Sequence, residues 1–143
     1  MTDERDLWQR MPEHYLLCFN GQCELAESCL HWLATQHGNP KDEFVRAVNP
    51  RVCGGRSCRN YRPKRIVTAA FGMLHTFDNV KAKDIAAMRK QIQNYFCRSS
   101  YYVRRNGKHR ISSEEQAFVS QVFRSYGYTD GATFDCYTED FDW

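Results

Sequence analysis

Hydrophobic positions recur at helical spacing in three stretches of the chain. Between Glu24 and His37, Leu25, Cys29, Trp32 and Leu33 share one face, and Gly38 followed by Pro40 forms a stop signal. From Val80 onward, Ile85, Met88, Ile92 and the Tyr95/Phe96 pair make a second apolar stripe. A third helix places Phe118, Val119, Val122, Phe123 and Tyr126 inward and ends at Gly127. Its start is marked by Ser112-Ser113-Glu114-Glu115, a capping box with Ser112 as N-cap and Glu115 at N3. Before it, a short polar helix is capped by Ser99 or Ser100, runs to Asn106 with Val103 as its inward anchor, and is ended by Gly107.

The helical period is lost over 39–65, where Asn39-Pro40, Asn49-Pro50, Gly54-Gly55 and Pro63 punctuate the chain. Short strands are expected around Phe44–Val48 and Ile66–Ala70, and Asn20-Gly21 predicts a tight turn with positive φ. The predicted fold class is mainly α. A Cys-rich, metal-stabilised module occupies 1–65, and a small helical, helix-turn-helix-like domain occupies 66–128. One or two short strands fall between them, and 129–143 is an acidic, aromatic tail.

Charge adds what hydropathy does not show. The chain has 143 residues and a formal net charge of only +3. From Phe44 to Ser113 it carries sixteen basic residues against Asp78 and Asp84, a local charge of +14; the remainder holds four basic and fifteen acidic residues, −11. A basic centre attracts polyanions, nucleic acid above all. The competing reading is a solvated basic face neutralised internally by the acidic ends. Mean hydropathy is −0.69 and no apolar run approaches the length of a membrane helix, so no membrane partner is expected. The N-terminal residues show no basic region followed by an apolar stretch, and the expected compartment is the reducing cytoplasm.

Seven cysteines then read as candidate metal ligands rather than a disulfide framework. Cys18-x4-Cys23-x5-Cys29 puts three thiols within twelve residues, on a turn followed by a helix. Tetrahedral Zn²⁺ needs four N/S ligands. Cys58 is the favoured fourth, because Asn60-Tyr61-Arg62 behind it can close over the site; Cys53 is the reserve, and His14 and His31 are weaker alternatives. Structural zinc, an iron–sulfur cluster and buried free thiols all remain open at this point. Cys97 and Cys136 are expected to stay reduced.

The basic helical segment presents Arg98, Ser99, Ser100, Tyr101, Arg104 and Arg105, with Lys108, His109 and Arg110 just beyond. Arginine, serine and tyrosine suit phosphate contact, and arginine also reads guanine. The segment resembles a phage-repressor-type helix-turn-helix, with Cys97 at the turn position where glycine is usual and Gln93 where a small residue is usual. Nucleic-acid-binding residues are expected to be Arg98, Ser99, Ser100, Tyr101, Arg104, Arg105, Lys108 and Arg110, with DNA the favoured partner.

A wider resemblance rests on Cys18-Phe19-Asn20, Cys23 and Cys29-Leu30, on Arg98-Ser99-Ser100-Tyr101-Tyr102 with Asn106-Gly107-Lys108, and on Glu114-Glu115-Gln116 with Phe123 to Tyr128. The ending Phe134-Asp135, Tyr137, Asp140 and Trp143 adds to it. These motifs are similar to an uncharacterised family of Bacteroidetes proteins, a domain of unknown function. The resemblance implies a cysteine cluster with Cys58 as its fourth member and carries no activity. P-loop, G-x-G-x-x-G, G-x-S-x-G and H-E-x-x-H motifs are missing, so an enzyme is not expected. The expected function is a zinc-stabilised nucleic-acid-binding protein, with a transcriptional role. A protein-interaction module working through the acidic tail and a metal or redox sensor are the alternatives.

Overall fold

A computed structural model describes residues 2–38, 41–52 and 56–143. Among these are five α-helices: α1 (Glu4–Gln9), α2 (Leu30–His37), α3 (Ala82–Phe96), α4 (Arg98–Arg105) and α5 (Ser113–Ser125). Two strands, β1 (Ile66–Phe71) and β2 (Cys136–Phe141), pair as a two-stranded antiparallel sheet. The chain divides into two compact units. The first comprises Met1–Ile66 with Asp140–Trp143, and the second Val67–Glu139.

The expected mainly helical fold with a metal-stabilised module is corrected on two counts. A sheet is present. Among the described residues, no group of three or more His, Cys, Asp or Glu side chains is placed to hold a metal ion. The first unit instead closes on apolar side chains: Leu7, Trp8, Leu17, Leu30, Ala34 and Phe141 are buried together, flanked by Met11, Tyr15, Leu33 and Trp143. Hydrophobic burial, at roughly 1.5–3 kcal/mol per large side chain, is its organising term.

The predicted helix from Glu24 to His37 splits. A 3₁₀ turn covers Ala26–Ser28, and Cys29 is extended (φ −100°, ψ 121°) before α2 begins. The interruption is tertiary. Cys29 bridges Pro63, Leu30 N–H donates to Arg62 O (2.7 Å) and Lys64 N–H to Ser28 O (2.8 Å). Gly21 does not take positive φ; its requirement is space, because a Cβ there would stand 3.0 Å from the Trp32 ring. The strand expected near Phe44–Val48 reduces to a parallel bridge between Leu17 and Ala47.

In the second unit α3 and α5 form where the pattern predicts. Met88, Ile92 and Phe96 of α3 pack with Val119, Val122 and Phe123 of α5, joined by Ala70, Met73, Phe77, Tyr101, Ile111 and Phe134. The capping box is present in full: Glu115 N–H donates to Ser112 Oγ (3.2 Å) and Ser112 N–H to Glu115 Oε2 (2.8 Å). The helix-turn-helix expectation is also corrected. That motif joins its helices through a turn of about three or four residues, whereas α3 and α4 are separated by Cys97 alone.

Cys97 sits at φ 63°, ψ 155°, a region open almost only to glycine. Such a conformation costs about 1–3 kcal/mol, while glycine's extra chain entropy costs about 0.5–1 kcal/mol. Cys97→Gly is therefore expected to stabilise the protein by about 1 kcal/mol. A lower thermal midpoint for this variant would contradict that sign.

Residues 129–143 form no tail. Phe134 is buried in the core of the second unit, and Phe141, Asp140 and Asp142 are buried in the first. The acidic residues concealed a strand, because Glu and Asp are poor strand formers. Asp135 also has a structural role: its carboxylate accepts from Leu74 N–H (2.7 Å) and His75 N–H (3.0 Å).

Candidate functional site

Two places carry the candidate residues, one in each unit. In the first unit a narrow cavity of about 20 Å³ is lined by Cys18, Cys23, Cys29 and Cys58, with His31 in its wall and Leu25, Ala26, Trp32 and Val48 among its apolar neighbours. Each thiol is delivered by a backbone-fixed segment. Cys18 N–H donates to His31 O (2.9 Å), Cys23 N–H to Asn20 O (3.3 Å), Leu33 N–H to Cys29 O (2.9 Å) and Tyr61 N–H to Cys58 O (3.0 Å). Cys29 is buried and the other three are half-buried. Asn20 shapes the turn by accepting from Gln22 N–H (3.2 Å), and Tyr61 Oη meets Ser28 Oγ (3.0 Å).

Thus the four favoured cysteines share one cavity, although they do not meet as a ligand set. Cys53, the reserve, lies outside the described residues. His14 is elsewhere, exposed and at φ 59°. His31 Nδ1–H donates to Leu16 O (2.7 Å), which leaves Nε2 with the lone pair in the neutral ring. Burial holds the His31 pKa below its usual value, helped by the charge of Arg62 and opposed by the hydrogen bond to Leu16. Cys97 and Cys136 are exposed thiols in the second unit.

The second place is α4, whose orientation differs from the expected one. Tyr101 faces the core at 1% exposure, and Val103 is 40% exposed. Burial pushes the Tyr101 hydroxyl above its usual pKa, against the charges of Arg89 and Arg105. Arg104 is not presented for phosphate contact. It makes a two-pronged ion pair with Glu115 (Nη2–Oε1 2.8 Å, Nε–Oε2 3.2 Å), lies 5.0 Å from the centre of the Phe96 ring and donates to Ser100 Oγ. Its side chain is 14% exposed. Glu115 therefore both caps α5 and anchors α4, a double use that the spacing of the capping box alone does not reveal.

Arg98, Tyr102 and Arg105, at i, i+4 and i+7, lie along one face of α4. Arg98 and Tyr102 are exposed and Arg105 is half-exposed, and the exposed Lys108 follows Gly107. Among the described residues, Arg98, Arg105 and Lys108 have no ion-pair partner. Ser99 is exposed and Ser100 half-buried against Arg104. Arg110 is half-buried, and its carbonyl meets His109 Nδ1 (2.9 Å).

The charge segregation resolves differently in the two units. The first holds ten basic and ten acidic residues. Four cations of its basic stretch have acidic partners: Lys64 pairs with Glu4, Arg56 with Glu24 (3.2 Å), and Arg62 (2.9 Å) and Arg65 with Asp142. In the second unit, residues 81–110 hold nine basic side chains and one acidic one, Asp84. Asp84 is occupied by Tyr128, whose hydroxyl donates to it (2.8 Å) and accepts from Lys81 N–H (3.0 Å). The first unit is thus neutral in total and partly paired, whereas residues 81–110 carry a cationic surplus that includes Arg98, Arg105 and Lys108.

The chain belongs to the family of unknown function DUF6078, which matches residues 1–143. It matches no curated protein and no solved structure. Among the described residues, no helix is long and apolar enough to cross a membrane.

Proposed function

We propose that this protein binds nucleic acid through the exposed face of α4 and the turn that follows it. The observation that carries the reading is the Arg98–Tyr102–Arg105 face with Lys108 beyond it, cationic and without ion-pair partners among the described residues. Two guanidiniums and an ammonium suit phosphate oxygens, and an exposed tyrosine between them offers a ring on which an unpaired base stacks. Because α3 and α4 do not form a helix-turn-helix, single-stranded DNA or RNA is the favoured ligand over a duplex major groove. A reducing cytoplasmic setting and a Bacteroidetes source fit this reading and belong to the same proposal.

Fluorescence anisotropy with labelled single- and double-stranded DNA and RNA tests it. Each phosphate contact contributes roughly −0.7 to the log–log salt slope on single strands. The triple variant Arg98→Ala, Arg105→Ala, Lys108→Ala is expected to weaken binding and reduce that slope by about 2. Tyr102→Ala is expected to weaken single-strand binding by about tenfold, since stacking contributes about 1–3 kcal/mol per base. Arg104→Ala is unsuitable as a probe, because Arg104 holds α4 against α5. Absence of binding at low salt to all four ligands, or a triple variant matching the parent across the salt series, overturns the reading.

A further inference from the structure

The geometry points to a second ligand site: the cavity bounded by Cys18, Cys23, Cys29 and Cys58 takes one thiophilic metal ion, Zn²⁺, as an added occupant of a unit that folds on its own apolar core. Four cysteines from separate segments line one small space in a chain whose other two described cysteines are exposed elsewhere. No carboxylate lines the cavity. A donor set of sulfur with imidazole nearby selects zinc-like ions over Mg²⁺ or Ca²⁺, which require oxygen. A cavity of about 20 Å³ has room for about one water-sized body, the scale of a single ion.

The imidazole of His31 is held in a way familiar from metal sites. Its Nδ1–H is committed to the Leu16 carbonyl, which fixes the tautomer and keeps Nε2 as the donor atom. The four cysteines line the space but are not placed as a ligand set, so coordination requires their side chains to turn toward a common point. Binding is acid–base chemistry with no oxidant or reductant: Zn²⁺ displaces one proton from each coordinating thiol, and affinity rises with pH accordingly. The apolar core of Leu7, Trp8, Leu17, Leu30, Ala34 and Phe141 includes none of these cysteines, so protein stripped of metal is expected to keep its fold.

The full chain, reduced and treated with chelator, is titrated with Co²⁺ and then Zn²⁺. One equivalent of Co²⁺ is expected to produce thiolate-to-cobalt charge-transfer absorption with the strong d–d bands of a tetrahedral site. One equivalent of Zn²⁺ is expected to bleach both. Cys29→Ser and Cys58→Ser are expected to lose the tetrahedral bands, whereas Cys97→Ser and Cys136→Ser retain them. Circular dichroism of each variant separates loss of ligand from loss of fold, and the parent titration stands even where a variant does not fold. No saturable band in the folded parent overturns the proposal. Iron and sulfide in freshly purified protein overturn the single-ion assignment, and unaltered bands in Cys58→Ser remove Cys58 from the site. The readout contains no nucleic acid, so it is independent of binding at α4.

Discussion

Phe141→Ala is expected to destabilise the first unit by about 3–5 kcal/mol, the usual range for emptying a buried aromatic site. Phe141 is fully buried, with its ring 4.5 Å from Trp8 and 5.4 Å from Trp143 by centroid, and it closes the core around Leu7, Leu17, Leu30 and Ala34. No neighbour is positioned as a simple filler, because Trp8 is already stacked on His37 at 4.2 Å. A loss of this size is a large share of the ~5–15 kcal/mol that stabilises an ordinary domain. Urea unfolding followed by tryptophan fluorescence reads it directly, since Trp8, Trp32 and Trp143 all belong to the first unit. A shift below about 1 kcal/mol, the size of a surface substitution, would show that the ring is not part of the core. The same packing decides the fate of a chain cut near Tyr128. It loses Phe134 from one core and Phe141 from the other, and it is expected to unfold rather than to uncover a basic surface.

Asp142→Ala carries the second large effect, about 3 kcal/mol. The Asp142 side chain is 8% exposed and accepts from Arg62 Nη2 (2.9 Å) and Arg65 Nε (2.6 Å). Arg62 also donates to the carbonyls of Asp142 (2.6 Å) and Trp143 (3.0 Å). Removing the carboxylate leaves a half-buried guanidinium that keeps its carbonyl partners and loses its counter-charge, at the low end of the cost of breaking a buried pair. Arg65→Ala should cost below about 1 kcal/mol, because the Arg65 side chain is 61% exposed and its pair is screened by water. Equal losses for the two variants would mean that the pair acts as an ordinary surface ion pair.

The elements legible in the sequence are those fixed locally. The α3 stripe of Met88, Ile92 and Phe96 and the Ser112–Glu115 cap of α5 each lie within a few residues, and periodicity and capping chemistry suffice to find them. What the sequence did not disclose depends on distant partners. Pairing with Pro63 breaks a helical pattern at Cys29, and β1 recruits an acidic segment into a strand. The face of α4 could not be chosen from its own eight residues, because Tyr101 and Val103 are both apolar enough to point inward. Its orientation depends on Glu115 drawing in Arg104 and on Tyr101 entering the core. The four thiols were legible as a group because spacing already clustered three of them. Their common cavity was not, since Cys58 reaches it through a turn that no local pattern specifies.

The first unit is discontinuous in sequence, and this sets the order in which the protein is completed on the ribosome. Residues 67–139 are contiguous, so the second unit has every residue it needs once Glu139 has emerged. The first unit begins synthesis earlier yet lacks Phe141, Asp142 and Trp143 until the chain reaches them. Until then Leu7, Trp8 and Leu30 have no lid, and Arg62 and Arg65 have no carboxylate between them. The half made first is therefore the half finished last, and its apolar residues stay open to chaperones or to neighbouring nascent chains for as long as the second unit takes to be made.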